Sequence, residues 1–325
     1  MTTTRYSRTC SGTVLGGILL LTLAGAAACG DENDGATGSA SAGAAGASGS
    51  GNASGGGNPG GAGGSGNPGG AGGSAGGTAG SGNPGGGGSS QAVAPGWKQA
   101  FSSGGVGVTC ESSYQDMVKS GAPSLTFGDT TIFVGFQQYG NNQDPVFRRF
   151  DSEKEVYCEH HEKQSPDGRA HGIAWDGGDT AYVVYSIVGG GTDLEQKAKG
   201  GWISSYGDGG ASSKVTVLAS VEVAFGTIVK ATFVPAKKSG NKTNTLGPKA
   251  APLVLADGTI ELLGGSAWAP LNPDKSGMCE PSTEYPSSLD GSKDGPNYLG
   301  RFTADFTSVV CASTAGCSKV KTPCP

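Results

Sequence analysis

A stretch of about sixty residues, from Gly30 to Ser90, limits what this chain can fold into. It consists almost entirely of Gly, Ser, Ala, Asn and Pro, and no charged residue occurs between Asp34 and Lys98. Such a sequence has little apolar surface to bury and much conformational entropy to lose, so we expect a flexible coil. A hydrophobic core can therefore form only in the segment that follows, Pro95–Pro325.

The N-terminal residues have the three-part pattern of an export signal. Arg5 and Arg8 precede an apolar run from Val14 to Leu23, and small residues follow up to Cys29. The apolar run is too short to cross a bilayer as a helix. We therefore predict a signal peptide over residues 1–28.

The sequence Ala26-Ala27-Ala28-Cys29 resembles the lipobox of bacterial lipoproteins, although Ala26 stands where that family prefers Leu. The resemblance implies that Cys29 is diacylated and becomes the new N-terminus. Several acyl chains on one cysteine give stable membrane anchoring. The chain is thus expected in the bacterial cell envelope, and Gly30 and Asp31 favour the outer membrane or cell surface over inner-membrane retention. The alternative is ordinary cleavage after an Ala-x-Ala site, which releases a secreted protein.

Three segments follow from these patterns. Residues 1–28 are the signal peptide, and residues 29–94 are the lipidated cysteine with a disordered tether rich in Gly, Ser, Asn and Pro. Residues 95–325 are an all-β extracytoplasmic domain with a Cys-rich C-terminal tail. A flexible tether of this length has a root-mean-square reach of about 40–45 Å. It holds the domain clear of the membrane without fixing its direction.

The mature chain is mildly acidic. Without residues 1–28 it has 20 basic and 27 acidic residues, which is a net charge of −7. No basic stripe is visible, and nucleic-acid binders neutralise phosphates with clustered Lys and Arg. The composition therefore argues against nucleic-acid binding and against electrostatic attachment to a membrane.

Six cysteines remain in the displayed domain, an even number that predicts three disulfides in an exported chain. The expected pairs are Cys110 with Cys158, Cys279 with Cys311, and Cys317 with Cys324. No Cys-x-x-Cys pair occurs, and the three histidines are too few and too closely spaced for a Cys/His zinc site. We predict no metal and no other cofactor.

Beyond Trp97 the apolar residues form short runs of the kind found in β-strands. Three hairpin-like units, each with an acidic or glycine turn, span Leu125–Gly135, Gly172–Tyr185 and Pro252–Gly264. Asp and Gly suit such turns because they tolerate positive φ. One short helix is expected at Ser113–Ser120.

A second unit also recurs. The segment Arg149–Cys158 matches Arg301–Cys311, with one extra residue in the later copy, and Trp202–Leu218 takes the corresponding place after the second hairpin. A hairpin, a variable loop and a second hairpin therefore repeat along the chain. Four strands per repeat is the plan of a propeller blade.

These repeats resemble the bacterial secreted β-propeller repeats of the SBBP type. The resemblance lies in Gly172-Ile173-Ala174-x-Asp176, Tyr182-Val183-Val184 and Arg301-Phe302-x-Ala304-Asp305. It implies an all-β, disulfide-braced domain of propeller-like hairpin repeats, with about four to five blades. A β-sandwich with Greek-key connections is the alternative, because the same hairpins satisfy it.

The most obvious polar cluster is Glu159-His160-His161-Glu162. Neighbouring residues of a strand point to opposite faces, so His160 and His161 are not expected to share a metal. His171 is a possible base for a serine nucleophile, but no Gly-x-Ser-x-Gly elbow occurs. No catalytic residue is predicted from these histidines.

Glycoside cleavage requires two carboxylates that face each other across a pocket. The candidates lie mostly in the recurring turns, where turn chemistry explains them: Asp129, Asp176, Asp179, Asp257 and Glu261. The segments 176–179 and 290–295 are similar to calcium loops but lack the full pattern of ligands. Both segments are expected to be turns or solvated loops.

Trp268 is the best candidate for an exposed ligand contact, whereas Trp175 and Trp202 lie in strand patterns and are expected to pack between sheets. We predict a non-enzymatic surface lipoprotein whose β-rich domain binds a glycan, a polymer or an envelope protein. One alternative is an extracellular carbohydrate-active or other hydrolase on a propeller scaffold. Another is a structural envelope protein.

Overall fold

The computed structural model describes residues 91–163, 167–189, 192–207, 213–237, 242–266, 268–280 and 297–325. All of them lie in one unit of the chain, Gly80–Pro325. The predicted signal peptide, Cys29 and most of the tether lie outside the described residues. No helix in the described part is long and apolar enough to cross a membrane.

Strands β2 to β5 form what we call the N-terminal sheet. Strand β1 (Lys98–Phe101) and helix α1 (Tyr114–Ser120) come first in the chain. The sheet itself is an antiparallel meander of four strands, β2 (Ser124–Phe127), β3 (Thr130–Tyr139), β4 (Asn142–Asp151) and β5 (Lys154–His160). The hairpin predicted at Leu125–Gly135 is confirmed as β2 and β3.

Helix α1 lies on the outer face of the N-terminal sheet. Its cap is a capping box, in which the Ser113 side chain accepts from the Asp116 N–H and the Asp116 carboxylate accepts from the Ser113 N–H. Its buried Met117 packs with Phe133 and Phe150 of the sheet. The helix predicted from the sequence is confirmed.

A second meander forms the central sheet. Its strands are β6 (Gly168–Trp175), β7 (Thr180–Val188), β8 (Lys214–Glu222) and β9 (Thr227–Val234), and β1 joins β6 as the fifth strand. Helix α2 (Thr192–Lys197) lies in the connection between β7 and β8. The predicted hairpin at Gly172–Tyr185 is confirmed as β6 and β7.

The remaining strands form a small ribbon and the C-terminal sheet. The ribbon pairs β10 (Ala236–Lys237) with β11 (Thr243–Asn244). The sheet contains β12 (Gly247–Pro248), β13 (Leu253–Val254), β14 (Ile260–Gly265), β15 (Tyr298–Phe302) and β16 (Val309–Thr314). Strands β12 and β13 both pair with β14, so β13 to β16 form a third four-stranded meander.

The three sheets stack face to face through two hydrophobic cores. Val183 and Tyr185 of β7 belong to the core shared with the N-terminal sheet, and Val184 between them belongs to the core shared with the C-terminal sheet. The central sheet is therefore buried on both faces. This burial explains why β7 reads as a nearly continuous apolar run instead of an alternating pattern.

The Arg-Phe repeat marks structurally equivalent points in the two outer sheets. A β-bulge lies between Arg149 and Phe150 of β4, and another lies between Arg301 and Phe302 of β15. The proposed third copy is wrong in part, because residues Trp202–Gly207 form no strand and the hairpin at that place is β8 with β9.

The described part of the domain is thus built mainly of antiparallel β-sheets and is braced by disulfides, as expected from the sequence. The described residues show three four-stranded meanders, and no closed ring of four to five blades is detected among them. Face-to-face stacking of antiparallel sheets is common to propellers and sandwiches.

All six cysteines of the domain are paired, but two of the expected pairs are wrong. The disulfides are Cys110–Cys158, Cys279–Cys317 and Cys311–Cys324. The tail folds back along β16, where the Ala312 N–H donates to the Thr322 carbonyl at 2.9 Å. This return brings Cys324 next to β16, a proximity that the spacing of the cysteines does not reveal.

Candidate functional site

The described residues form a polar pocket at the end of β5, which we call the β5-end pocket. It has a volume of about 300 Å³ and lies between the end of β5, helix α2 and the start of β9. Its lining residues are Glu159, His160, His161, Lys163, Asp193, Gln196, Lys197, Gly226, Thr227 and Ile228. The cluster that was most prominent in the sequence therefore lies at a concave site.

His161 forms the buried floor of this pocket. Its Nε2 donates to the Gly226 carbonyl at 2.7 Å, and its Nδ1 accepts from the Tyr185 hydroxyl at 2.6 Å. Burial lowers the pKa of His161 to about 4, because the charged ring would be desolvated. The imidazole is therefore neutral near pH 7 and serves to hold the structure.

Gly226 is required at this position for two reasons. Its φ is +68°, a conformation that side chains other than glycine rarely adopt, and a Cβ would lie 2.6 Å from the Tyr157 ring. The close approach places the Gly226 carbonyl against His161. The turn before β9 is thus locked to the end of β5.

His160 points the opposite way, toward the outer face of the N-terminal sheet. Its Nε2 lies 3.2 Å from the Cys110 sulfur and 3.3 Å from the Tyr139 hydroxyl, and its Nδ1 lies 3.9 Å from the Asp144 carboxylate. Burial lowers the pKa of His160, and Asp144 opposes that shift. A depression of about 330 Å³, lined in part by Tyr139, Asp144 and Lys163, opens here.

Three potential metal ligands lie together beside His160. Its ring nitrogen and the sulfurs of Cys110 and Cys158 are within 4.8 Å of one another. The two sulfurs form a disulfide, however, and only a thiolate is a strong metal ligand. In the oxidised protein this cluster is a disulfide packed against an imidazole.

Helix α2 is fastened to the pocket by two carboxylates. The buried Glu162 accepts from the Leu194 N–H at 3.1 Å, and Asp193 accepts from the Lys163 N–H at 3.2 Å. An acidic side chain at the start of a helix is stabilised by the free N–H groups there. The wall formed by α2 is therefore held to the segment after β5 from both sides.

The structure does not assemble a serine hydrolase site around His171. Its Nε2 accepts from the Ser186 hydroxyl at 2.7 Å, and its Nδ1 donates to the Ser102 carbonyl at 3.2 Å. Both His171 and Ser186 are fully buried, so a substrate cannot reach the hydroxyl. The pair stabilises the interior of the central sheet.

The candidate carboxylates for glycoside cleavage serve the fold where their contacts are described. Asp176 accepts from the Gly178 N–H at 2.9 Å, Asp257 accepts from the Thr259 N–H at 2.9 Å, and Glu261 pairs with Arg301 at 2.9 Å. The side chains of Asp129 and Asp179 are exposed in hairpin turns. The calcium-like segment 290–295 lies outside the described residues.

Two of the three tryptophan predictions are confirmed. Trp175 is 2% exposed and Trp202 is 3% exposed, and both pack in the cores. Trp268 is half-buried against the core between the central and C-terminal sheets. Its role as a ligand contact stays a prediction.

No protein-family model, curated protein sequence or solved structure matches the chain significantly. The resemblances to the lipobox and to the SBBP-type repeats therefore rest on the motifs themselves. Function has to be argued from the chemistry of the site.

Sequence reasoning missed the contribution of helix α2. Asp193 and Lys197 lie more than thirty residues after His160, and they reach the pocket only because α2 packs beside β9. The acidic residues at the start of Thr192–Lys197 are a weak helix signal, but they do not indicate which strand the helix contacts.

Proposed function

We propose that this protein is a lipid-anchored protein of the bacterial cell envelope that displays a β-rich binding domain on a flexible tether. One observation carries the proposal. The six cysteines of the displayed domain are all paired with one another, so none of them requires Cys29 as a partner. Because Cys10 is removed with the predicted signal peptide, Cys29 is available for acylation.

The proposed location is the outer membrane or the cell surface. Three disulfides are typical of an oxidising, extracytoplasmic compartment. A tether with a reach of about 40–45 Å suits a domain that has to contact a partner beyond the lipid headgroups. The proposed partners are a glycan, a polymer or another envelope protein.

We prefer a binding role to hydrolysis because the candidate catalytic side chains already serve the fold or are inaccessible to a substrate. Asp176, Asp257 and Glu261 hold turns or an ion pair, and His171 with Ser186 is buried. The β5-end pocket, in contrast, presents charged and amide side chains on an accessible surface. Such a surface can hold a polar ligand by hydrogen bonds and ion pairs without carrying out a reaction.

We infer that the three meanders are blade-like units of a propeller-like scaffold. The inference is supported by four antiparallel strands in each meander and by the equivalent bulges at Arg149 and Arg301. A crystal structure of the mature chain tests it. Sheets arranged about a common axis support the scaffold, whereas sheets stacked along a single line support the sandwich.

Metabolic labelling tests the anchor. Cells that express the full chain are grown with radiolabelled palmitate, and label is expected on the wild type and on Cys10→Ser but not on Cys29→Ser. Globomycin is expected to block maturation of the wild type. Label on Cys29→Ser, or maturation that globomycin leaves unchanged, contradicts the proposal.

A further inference from the structure

The β5-end pocket is the first of three connected depressions. The second has a volume of about 360 Å³ and shares Gln196 and Lys197 with the first, and the third has about 320 Å³ and shares Gly201 with the second. Together they follow the side of the central sheet at which β9 lies.

One wall of these depressions follows the chain along β9 and into β10. Thr227 and Ile228 line the first, Val229 and Lys230 line the second, and Lys237 lines the third. The ten residue steps from Thr227 to Lys237 correspond to a contour length of roughly 33 Å at the rise of a β-strand. We call this continuous feature the β9 groove.

The opposite wall is α2 with the irregular segment that follows it. Gly201 packs so closely on β9 that a Cβ there would collide with the Ala231 carbonyl. The Phe233 N–H donates to the Ile203 carbonyl at 3.0 Å, and the Ile203 N–H donates to the Thr232 hydroxyl at 3.0 Å. Both walls are therefore fixed relative to each other.

The groove concentrates positive charge on an acidic protein. Three acidic residues, Glu159, Asp193 and Asp305, also line it. Among the described residues, six lysines line the groove: Lys163, Lys197, Lys199, Lys230, Lys237 and Lys275. In the described part of the chain, none of these ammonium groups forms an ion pair with a carboxylate.

Two of the three acids are already engaged. Asp193 accepts from the Lys163 N–H, and Asp305 accepts from the hydroxyls of Thr303 and Thr307. The hydrogen bonds from Thr303 and Thr307, together with the charge of Lys230, lower the pKa of Asp305 to about 2, so this carboxylate is ionised and offsets part of the positive charge. Against these three carboxylates, the six lysines leave an excess of three positive charges among the described residues that line the groove.

We infer that the β9 groove binds an anionic polysaccharide. The lysines pair with its carboxylate or phosphate groups, and hydroxyls such as those of Ser204, Ser205 and Thr227 bond its sugar hydroxyls. The inference rests on the proposed binding function and specifies its ligand class. The length of the groove matches an extended polymer better than a single small molecule.

The groove is less suited to nucleic acid. Proteins that hold single strands stack the bases on exposed aromatic side chains. The aromatic ring that lines the third depression, that of Trp202, is only 3% exposed and packs in the core between the central and C-terminal sheets.

A charge-reversal experiment tests the inference. The mature chain with Cys29→Ser, which is not anchored, is titrated with a uronate polymer, with neutral dextran and with single-stranded DNA. The groove variant carries Lys197→Glu, Lys199→Glu and Lys230→Glu. A matched control carries Lys119→Glu, Lys154→Glu and Lys319→Glu, which are exposed positions outside the groove.

The uronate polymer is expected to bind the parent and the control alike, with an affinity that falls as salt rises. The groove variant is expected to lose affinity by about tenfold or more, the sum of three exposed ion pairs. Dextran is expected not to bind. Thermal unfolding of the two variants checks that both are folded.

Three results overturn the inference: equal loss in both variants, unchanged binding by the groove variant, or tighter binding of single-stranded DNA than of the uronate polymer. Absence of uronate binding in the parent also contradicts it. None of these results alters palmitate labelling at Cys29, so failure of the ligand assignment is distinct from failure of the proposed anchor.

Discussion

The outer face of the N-terminal sheet and the β9 groove are each bordered by a short helix. They differ in whether their basic side chains are buried and paired or exposed and unpaired. Beneath the segment that leads to α1, Arg148 is 3% exposed and donates to Glu155 and to the carbonyls of Thr109 and Ser112. Beside α2, the lysines of the groove are mostly exposed and form no ion pair with a described carboxylate.

The difference separates cations that hold the fold from cations that are available to a ligand. The buried pair of Arg301 with Glu261 follows the pattern of Arg148. A planar guanidinium can satisfy several fixed acceptors at once, whereas an ammonium is compact and strongly hydrated. Lysines left in water keep their charge free for an incoming anion.

The largest expected effect is loss of the disulfide Cys110–Cys158, which joins the segment that leads to α1 to strand β5 of the N-terminal sheet. Cys110 and Cys158 are 48 residues apart, so Cys110→Ser with Cys158→Ser is expected to lower the free energy of unfolding by about 4 kcal/mol. Removing Cys311–Cys324, which are 13 apart, is expected to cost about 3 kcal/mol. Urea unfolding measures both, and a larger loss at the tail would contradict the comparison.

Arg148→Ala is expected to lower the free energy of unfolding by about 3 kcal/mol, because it removes a buried guanidinium that satisfies Glu155 and the carbonyls of Thr109 and Ser112 at once. Arg149→Ala is the matched control. Arg149 is 21% exposed and pairs with a half-exposed Asp151, so its loss is expected to cost below about 1 kcal/mol. Equal losses of unfolding free energy in the two variants would show that burial does not make Arg148 more important to the fold than Arg149.

The third prediction concerns pH and His161, which lies under the groove. The unfolded ring has a pKa near 6.5 and the folded ring has a pKa of about 4, so below pH 6.5 the unfolded state binds more protons. As the pH falls from 6.5 to 4, the free energy of unfolding is therefore expected to decrease by roughly 1.4 kcal/mol per pH unit. Above pH 6.5, His161 is expected to cause no pH dependence of stability.

Denaturation of the wild type and of His161→Gln at several pH values measures this slope. The variant is less stable near pH 7 but is expected to lose less further stability as the pH falls. Parallel curves for the two proteins would mean that His161 is not the group responsible.

The smallest effect is expected in the groove. Lys197→Ala and Lys230→Ala are each expected to change the free energy of unfolding by less than about 0.5 kcal/mol, because exposed side chains without partners contribute little. Urea unfolding of each variant checks this. A loss comparable to that of Arg148→Ala would show that these lysines hold the fold and would weaken the case for a ligand site.

Local features were predictable where neighbouring residues decide them. A short helix was expected at Ser113–Ser120, where α1 forms, and acidic or glycine turns indicated the hairpins at Leu125–Gly135 and Gly172–Tyr185. The adjacent positions of His160 and His161 implied opposite faces, and the structure places them so. Each of these features depends on contacts within a few residues.

Features that depend on distant contacts were not predictable. The pairing of Cys311 with Cys324 depends on the tail returning along β16, and the irregular segment Trp202–Gly207 depends on packing against β9. The groove itself combines lysines from five separate parts of the chain, which is why no basic stripe is visible in the sequence.

By itself, the sequence determined that the foldable part of this chain follows a long Gly-rich stretch and is made of β-hairpins. Composition and short-range turn chemistry are sufficient for both conclusions. Only the tertiary structure decided how the sheets stack, which cysteines pair and where the unpaired lysines gather. Those outcomes depend on which apolar faces bury one another, and that choice brings together residues that are far apart in the chain.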